Sequence, residues 1–194
     1  MEIDAEILAH YGEGGEHARL TDEPSLELLR TRVLLKRFLP APPARVLDVG
    51  GGTGVHAAWL SGLGYQVHLI DPVPLHCEQA RADGRFTVAT GDARSLAEDL
   101  KTGQHRNPAA QPGFFTTAYF HDRAGITSEI TDSGLDLTGL LPIEGLLNWA
   151  PGISDRLADP GQRQLILGTL AAMEHDPAIA GATAHLLAVG RRPS

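Results

Sequence analysis

Arg45-Val46-Leu47-Asp48-Val49-Gly50-Gly51-Gly52-Thr53-Gly54 is the stretch on which the fold turns. Its first five residues read as a short buried strand, and the glycines after them let backbone come close to a ligand. A small-residue helix through Ala57, Ala58, Trp59 and Leu60 follows, closed by Ser61-Gly62-Leu63-Gly64. Tyr65 to Ile70 reads as a second strand ended by Asp71-Pro72, Leu75 to Ala82 as a helix, and Asp83-Gly84 as a turn. Arg85 to Thr90, with Phe86 and Val88 alternating, is a third strand that runs into Gly91-Asp92. This βαβαβ pattern implies a parallel sheet with right-handed crossovers and helices on both faces. Ligands in such sheets sit beyond the carboxyl ends of the strands, which singles out Asp48, the glycine loop, Asp71 and Asp92.

Upstream, Ile3, Ile7 and Leu8 are helically spaced ahead of Tyr11-Gly12-Glu13-Gly14-Gly15. A second helix begins at a cap supplied by Asp22 or Ser25, carries Leu26, Leu29 and Val33, and stops at Pro40, Pro42 and Pro43. Downstream of Asp92 the pattern predicts a helix over 96–100, an extended run over 114–120, a helix over 122–132 and a strand over 135–141. A loop follows. Asp159-Pro160 then opens a helix carrying Leu165, Ile166, Leu170 and Met173, and Ala184 to Val189 is the last strand.

The chain of 194 residues is expected to form one domain, with residues 1–43 as an N-terminal helical lid, 44–96 as a ligand-binding half and 97–194 as a shortened second half. Its net charge of −8 argues against nucleic acid or an anionic membrane as partner. The single cysteine, Cys77, excludes an internal disulfide and a multi-cysteine zinc site. No apolar run is long enough to cross a bilayer and the acidic start lacks a secretory signal, so a cytoplasmic location is expected.

Asp71 falls at the end of the second strand, 21 residues after Gly50, where a carboxylate can accept hydrogen bonds from a ribose. Gly52-Thr53-Gly54-Val55-His56-Ala57 also fits the dinucleotide pattern G-x-G-x-x-A, which keeps an NAD(P)-dependent oxidoreductase as an alternative. Charge separates the two. A dinucleotide brings two phosphates that Asp48 would oppose, whereas a sulfonium nucleoside with an amino-acid tail brings two cationic centres and one carboxylate, and acids favour the cationic centres.

Val46-Leu47-Asp48-Val49-Gly50-Gly51-Gly52-Thr53-Gly54, with Asp71-Pro72 and Gly91-Asp92-Ala93, resembles the class I S-adenosylmethionine-dependent methyltransferases. Asp48, Gly50, Gly52 and Gly54 occupy each named place of that family's D/E-x-G-x-G-x-G pattern. The resemblance implies a Rossmann-like three-layer α/β sandwich and S-adenosyl-L-methionine as cofactor. It implies that Asp48 and the glycines line the methionine end, that Asp71 binds the ribose hydroxyls, and that Asp92 and Ala93 flank adenine. The stretch from Tyr11 to Arg19 is similar to the N-terminal lids of small-molecule methyltransferases, which makes Tyr11 and Arg19 candidates to close over the cofactor.

The resemblance covers residues 45–93 and the final strand, and between them the chain departs from the family. Only 20 residues separate Asp92 from Gly113, too few for the two βα units that would build strands four and five. The sheet is therefore expected to be reduced, with the edge of the first strand covered by residues 114–120, by the final strand, or by a second copy in a homodimer. A catalytically silent cofactor-binding or dimerisation module is the corresponding second alternative. His105, Tyr119 and His121 lie where the acceptor wall would be and are the candidate catalytic residues, since an imidazole there could take a proton from the hydroxyl or amine of a small-molecule acceptor. The nine histidines show no ligand spacing, so no metal is expected. Trp149 is expected to close the core beneath a loop.

Overall fold

The computed structural model describes residues 25–90 and 123–193. They fall into two compact units, one containing residues 40–90 and the other residues 25–39 and 123–193.

In the first unit, β1 (Arg45–Val49), α1 (Val55–Gly62), β2 (Gln66–Asp71), α2 (Pro74–Arg81) and β3 (Thr87–Thr90) alternate as the periodicity requires. The three strands pair in parallel in the order β1-β2-β3, with Asp48 beside Leu69 and Leu69 beside Val88. The fold is thus a mixed α/β, Rossmann-like one with a reduced sheet. Val46, Asp48, Val67, Leu69 and Val88 share one face by register, and Arg45, Leu47, Val49, Gln66, His68 and Thr87 share the other. Two successive right-handed crossovers running in one direction place both helices on the same face. That is the first face, where Leu69 is fully buried and Ala57, Leu60, Cys77 and Ala80 pack. Cys77 Sγ donates to the Asp71 carbonyl at 3.3 Å, fixing α2 on the sheet. Within this unit's described residues both helices lie on that face, and Leu47 and Val49 on the other are about half exposed.

The second unit contains α3 (Leu26–Phe38), α4 (Arg123–Asp132), β4 (Asp136–Pro142), a 3-10 turn (Gly145–Trp149), α5 (Ile153–Ala158), α6 (Pro160–Met173), α7 (Pro177–Ala180) and β5 (Leu186–Arg191). Ser25 Oγ accepts from Leu28 N and Asp159 Oδ1 from Gln162 N, the two caps that the sequence offers. Asp176 caps α7 in the same way. Leu26, Leu157, Ile166 and Leu170 form one buried cluster, and Leu34, Leu141 and Ile143 another.

Three expectations change here. The final strand does not lie beside β1: β5 pairs antiparallel with β4 in a separate two-stranded ribbon, because the apolar face of β4 offers it a partner of matching length. The stretch after β4 is not a loop but the 3-10 turn and α5, both too short to show a helical period. Trp149, expected in the core, is 63% exposed at the end of that turn. The extended run over 114–120 lies outside the described residues.

Candidate functional site

The loop Gly50–Gly54 leaves the carboxyl end of β1 and is held from three sides. Gly50 N donates to the Ile70 carbonyl at 2.8 Å, continuing the ladder one step, and Gly54 N donates to the Gly51 carbonyl at 3.0 Å, closing a turn. Gly52 N donates to Asp71 Oδ2 at 2.9 Å. Gly50, Gly52 and Gly54 all have positive φ, which accounts for glycine at each named position of the motif. Gly54 is also the N-cap of α1, so the helix opens with no side chain over its first N–H groups.

Asp48 lies at the base of this loop. Its Oδ2 is buried and has no hydrogen-bond partner among the described residues. Burial, and secondly the charge of Asp71, hold its carboxyl above the ordinary value of 3.8. A Cβ on Gly51 would come within 2.8 Å of both Asp48 Cγ and Asp48 Oδ2. The bare backbone therefore makes the recess in which the carboxylate sits.

Asp71 is placed at the same loop, but mostly occupied. Oδ1 accepts from Val73 N at 2.9 Å and lies 3.2 Å from His76 Nδ1, while Oδ2 accepts from Gly52. The side chain thus ties the ends of β1 and β2 together, and Oδ2 alone keeps a lone pair that these bonds leave over. Asp71→Asn should expose this role. Each oxygen faces a backbone N–H, so an amide NH2 must meet a donor on one side, at a cost of about 1–3 kcal/mol. Urea unfolding of the variant against wild type measures it.

The structure brings Asp48, Gly50, Gly52, Gly54 and Asp71 together. Asp92, Ala93, Tyr11, Arg19, His105, Tyr119 and His121 lie outside the described residues. Sequence reading passed over Gly51 and His76. Gly51 was visible as the extra glycine inside the motif, whereas His76 reaches Asp71 only because the first turn of α2 folds back over the end of β2.

No family model and no curated protein matches the chain. Among solved structures, a TehB-like SAM-dependent methyltransferase from Corynebacterium glutamicum is similar at 24% identity over 43% of this chain and 46% of that one, with a TM-score of 0.34. A DhpI–SAH complex is similar at 24% identity over 45% of this chain and 43% of that one, with a TM-score of 0.33. YjhP from E. coli is similar at 19% identity over 79% of this chain and 81% of that one, with a TM-score of 0.42. The chain thus spans less than half the length of the first two.

Proposed function

We propose that the chain binds S-adenosyl-L-methionine at the Gly50–Gly54 loop and serves methyl transfer to a small-molecule acceptor such as a phenol, amine or thiol. The observation that carries this reading is the Asp48 carboxylate, buried at the base of a backbone recess with one oxygen unpartnered. Such a group opposes the phosphates of a dinucleotide and favours a ligand that brings positive charge. The oxidoreductase alternative fits the glycine spacing but not this charge.

In this reading Asp48 faces the cationic end of the cofactor, the glycine backbone lets it approach, and Asp71 offers the remaining lone pair of Oδ2 to a ribose hydroxyl. The group so bound would supply a methyl carbon on a sulfonium sulfur. The chain's part is to align it and exclude water, because an attack that quenches charge gains from a dry surround. Asp92 and Ala93 beside adenine, Tyr11 and Arg19 as a lid, and His105, Tyr119 and His121 as candidate catalytic residues, with an imidazole taking the acceptor's proton, complete the proposal.

The test is a calorimetric titration with S-adenosylmethionine, S-adenosylhomocysteine and NAD on wild type and Asp48→Asn. Asp48 is penalised in its ionised form, a penalty absent below the ordinary carboxylate pKa and complete above the raised one, hence present at neutral pH. Asp48→Asn should therefore raise the stability of the ligand-free protein by about 1 kcal/mol. The same change should weaken S-adenosylmethionine binding by about 2 kcal/mol or more. Binding of NAD in preference to S-adenosylmethionine, or affinity indifferent to Asp48→Asn, overturns the reading.

A further inference from the structure

In the second unit, far from one another in sequence, Glu27, Glu144 and His185 bring a ligand atom each to within 4.8 Å of one another. Three elements supply them. Glu27 is in the first turn of α3, Glu144 follows β4 as it enters the 3-10 turn, and His185 immediately precedes β5. The ribbon fixes the last two, since Ile143 N donates to the His185 carbonyl at 3.0 Å.

The Glu144 carboxylate is 1% exposed, and its two oxygens are treated differently. Oε2 accepts from Thr183 Oγ1 and from His185 N, each at 3.1 Å. Thr183 is itself held, accepting from Gly145 N at 3.0 Å. Oε1 faces the His185 ring, 2.5 Å from Nδ1. One oxygen is thus anchored by donors behind it while the other points at an imidazole nitrogen, the arrangement in which outer hydrogen bonds orient a metal-binding carboxylate. With Glu27 alongside, two carboxylates meet one imidazole, and the cluster stays negative even with the imidazole protonated. The His185 side chain is 48% exposed, which gives a path from solvent and room for a water ligand.

We propose that Glu27, Glu144 and His185 form a binding site for a divalent transition-metal ion, bound through one imidazole nitrogen and two carboxylate oxygens. That donor set suits zinc, cobalt or manganese. The ion takes the place of the proton between His185 Nδ1 and Glu144 Oε1: an imidazolium releases that proton to solvent, and a neutral ring carries it on Nε2 instead. Bound there, it clamps the first turn of α3 to the end of the β4–β5 ribbon. The competing explanation needs no ion: Glu27 complements the α3 dipole and Glu144–His185 is an ordinary ion pair.

The experiment titrates the full chain with cobalt(II) alone, reading visible absorption and thermal unfolding, for wild type, Glu27→Gln and His185→Gln. Expected are a one-to-one inner-sphere cobalt band, a rise in Tm with cobalt, and affinity lowered about tenfold or more in each variant, by the scale of loss seen when metal-site partners are removed. Glu27→Gln leaves the Glu144–His185 pair intact, and its metal-free melt is the control for folding. The proposal is overturned if wild type shows no inner-sphere band, or if both variants bind cobalt as wild type does, which would place the ion on other histidines.

Discussion

Glu174→Ala is expected to lower the stability of the protein by about 3–5 kcal/mol, the scale for leaving a buried charge without its partner. The charge in question is Arg30, whose side chain is fully buried and hydrogen-bonds through Nη2 to Glu174 Oε2. Its Nε and Nη1 have no partner among the described residues, so Glu174 is its one anchor there. Arg37 shares the same carboxylate, with Nη1 2.6 Å from Oε1 and Nη2 3.3 Å from Oε2, but is 37% exposed and can return to water. The loss therefore comes mainly from Arg30. The double variant Arg30→Met with Glu174→Met should recover most of it, since apolar replacements of similar size remove both desolvation costs. Urea unfolding of wild type, the single variant and the double variant measures the loss and its recovery, and a single variant as stable as wild type refutes the account.

The same pair sets a pH dependence. Burial pushes the Glu174 carboxyl up, but hydrogen bonds and charge from Arg37 and Arg30 outweigh it and hold the group below its ordinary value of 4.5. A lowered acid contributes stability that is present above the ordinary value and lost as pH falls through the folded one. Wild type should accordingly lose stability on acidification below 4.5, and Glu174→Ala should lose less over the same interval.

Gly51→Ala is the second large effect, and it acts on the candidate site itself. The new methyl would stand 2.7 Å from Leu69 Cδ1 and 2.8 Å from Asp48 Cγ and Oδ2. Leu69 is fully buried in the central strand, so it has little room to move, and overpacking of this kind costs about 1–3 kcal/mol. Whatever relaxation occurs must displace the Asp48 carboxylate, so under the proposed function S-adenosylmethionine binding should fall along with stability. Gly62→Ala is the control: it lies in α1, its Cβ would meet only Arg85 Nη1 at 3.7 Å, and the helical preference for alanine makes it neutral or stabilising. Calorimetry and urea unfolding on both variants separate a loop-wide effect from a local one. Gly51→Ala with wild-type affinity for S-adenosylmethionine would overturn the proposal that Asp48 and its recess hold that ligand.

What was legible in the sequence was whatever neighbouring residues decide. The alternation of β1, β2 and β3 with helices, the glycine turn between β1 and α1, and the Ser25 and Asp159 caps each depend on a few consecutive side chains and on backbone sterics. Asp48, Gly50, Gly52, Gly54 and Asp71 came with them, because strand ends fix where a parallel sheet presents its residues. The short turn and helix after β4 escaped, since five or six residues complete no recognisable period. Only the tertiary structure decided that β5 pairs with β4, that Arg30 and Arg37 share Glu174, and that Glu27, Glu144 and His185 converge. Those pairings span distances along the chain over which no local pattern acts, and they are selected by which buried charges and strand faces find partners once the chain is compact.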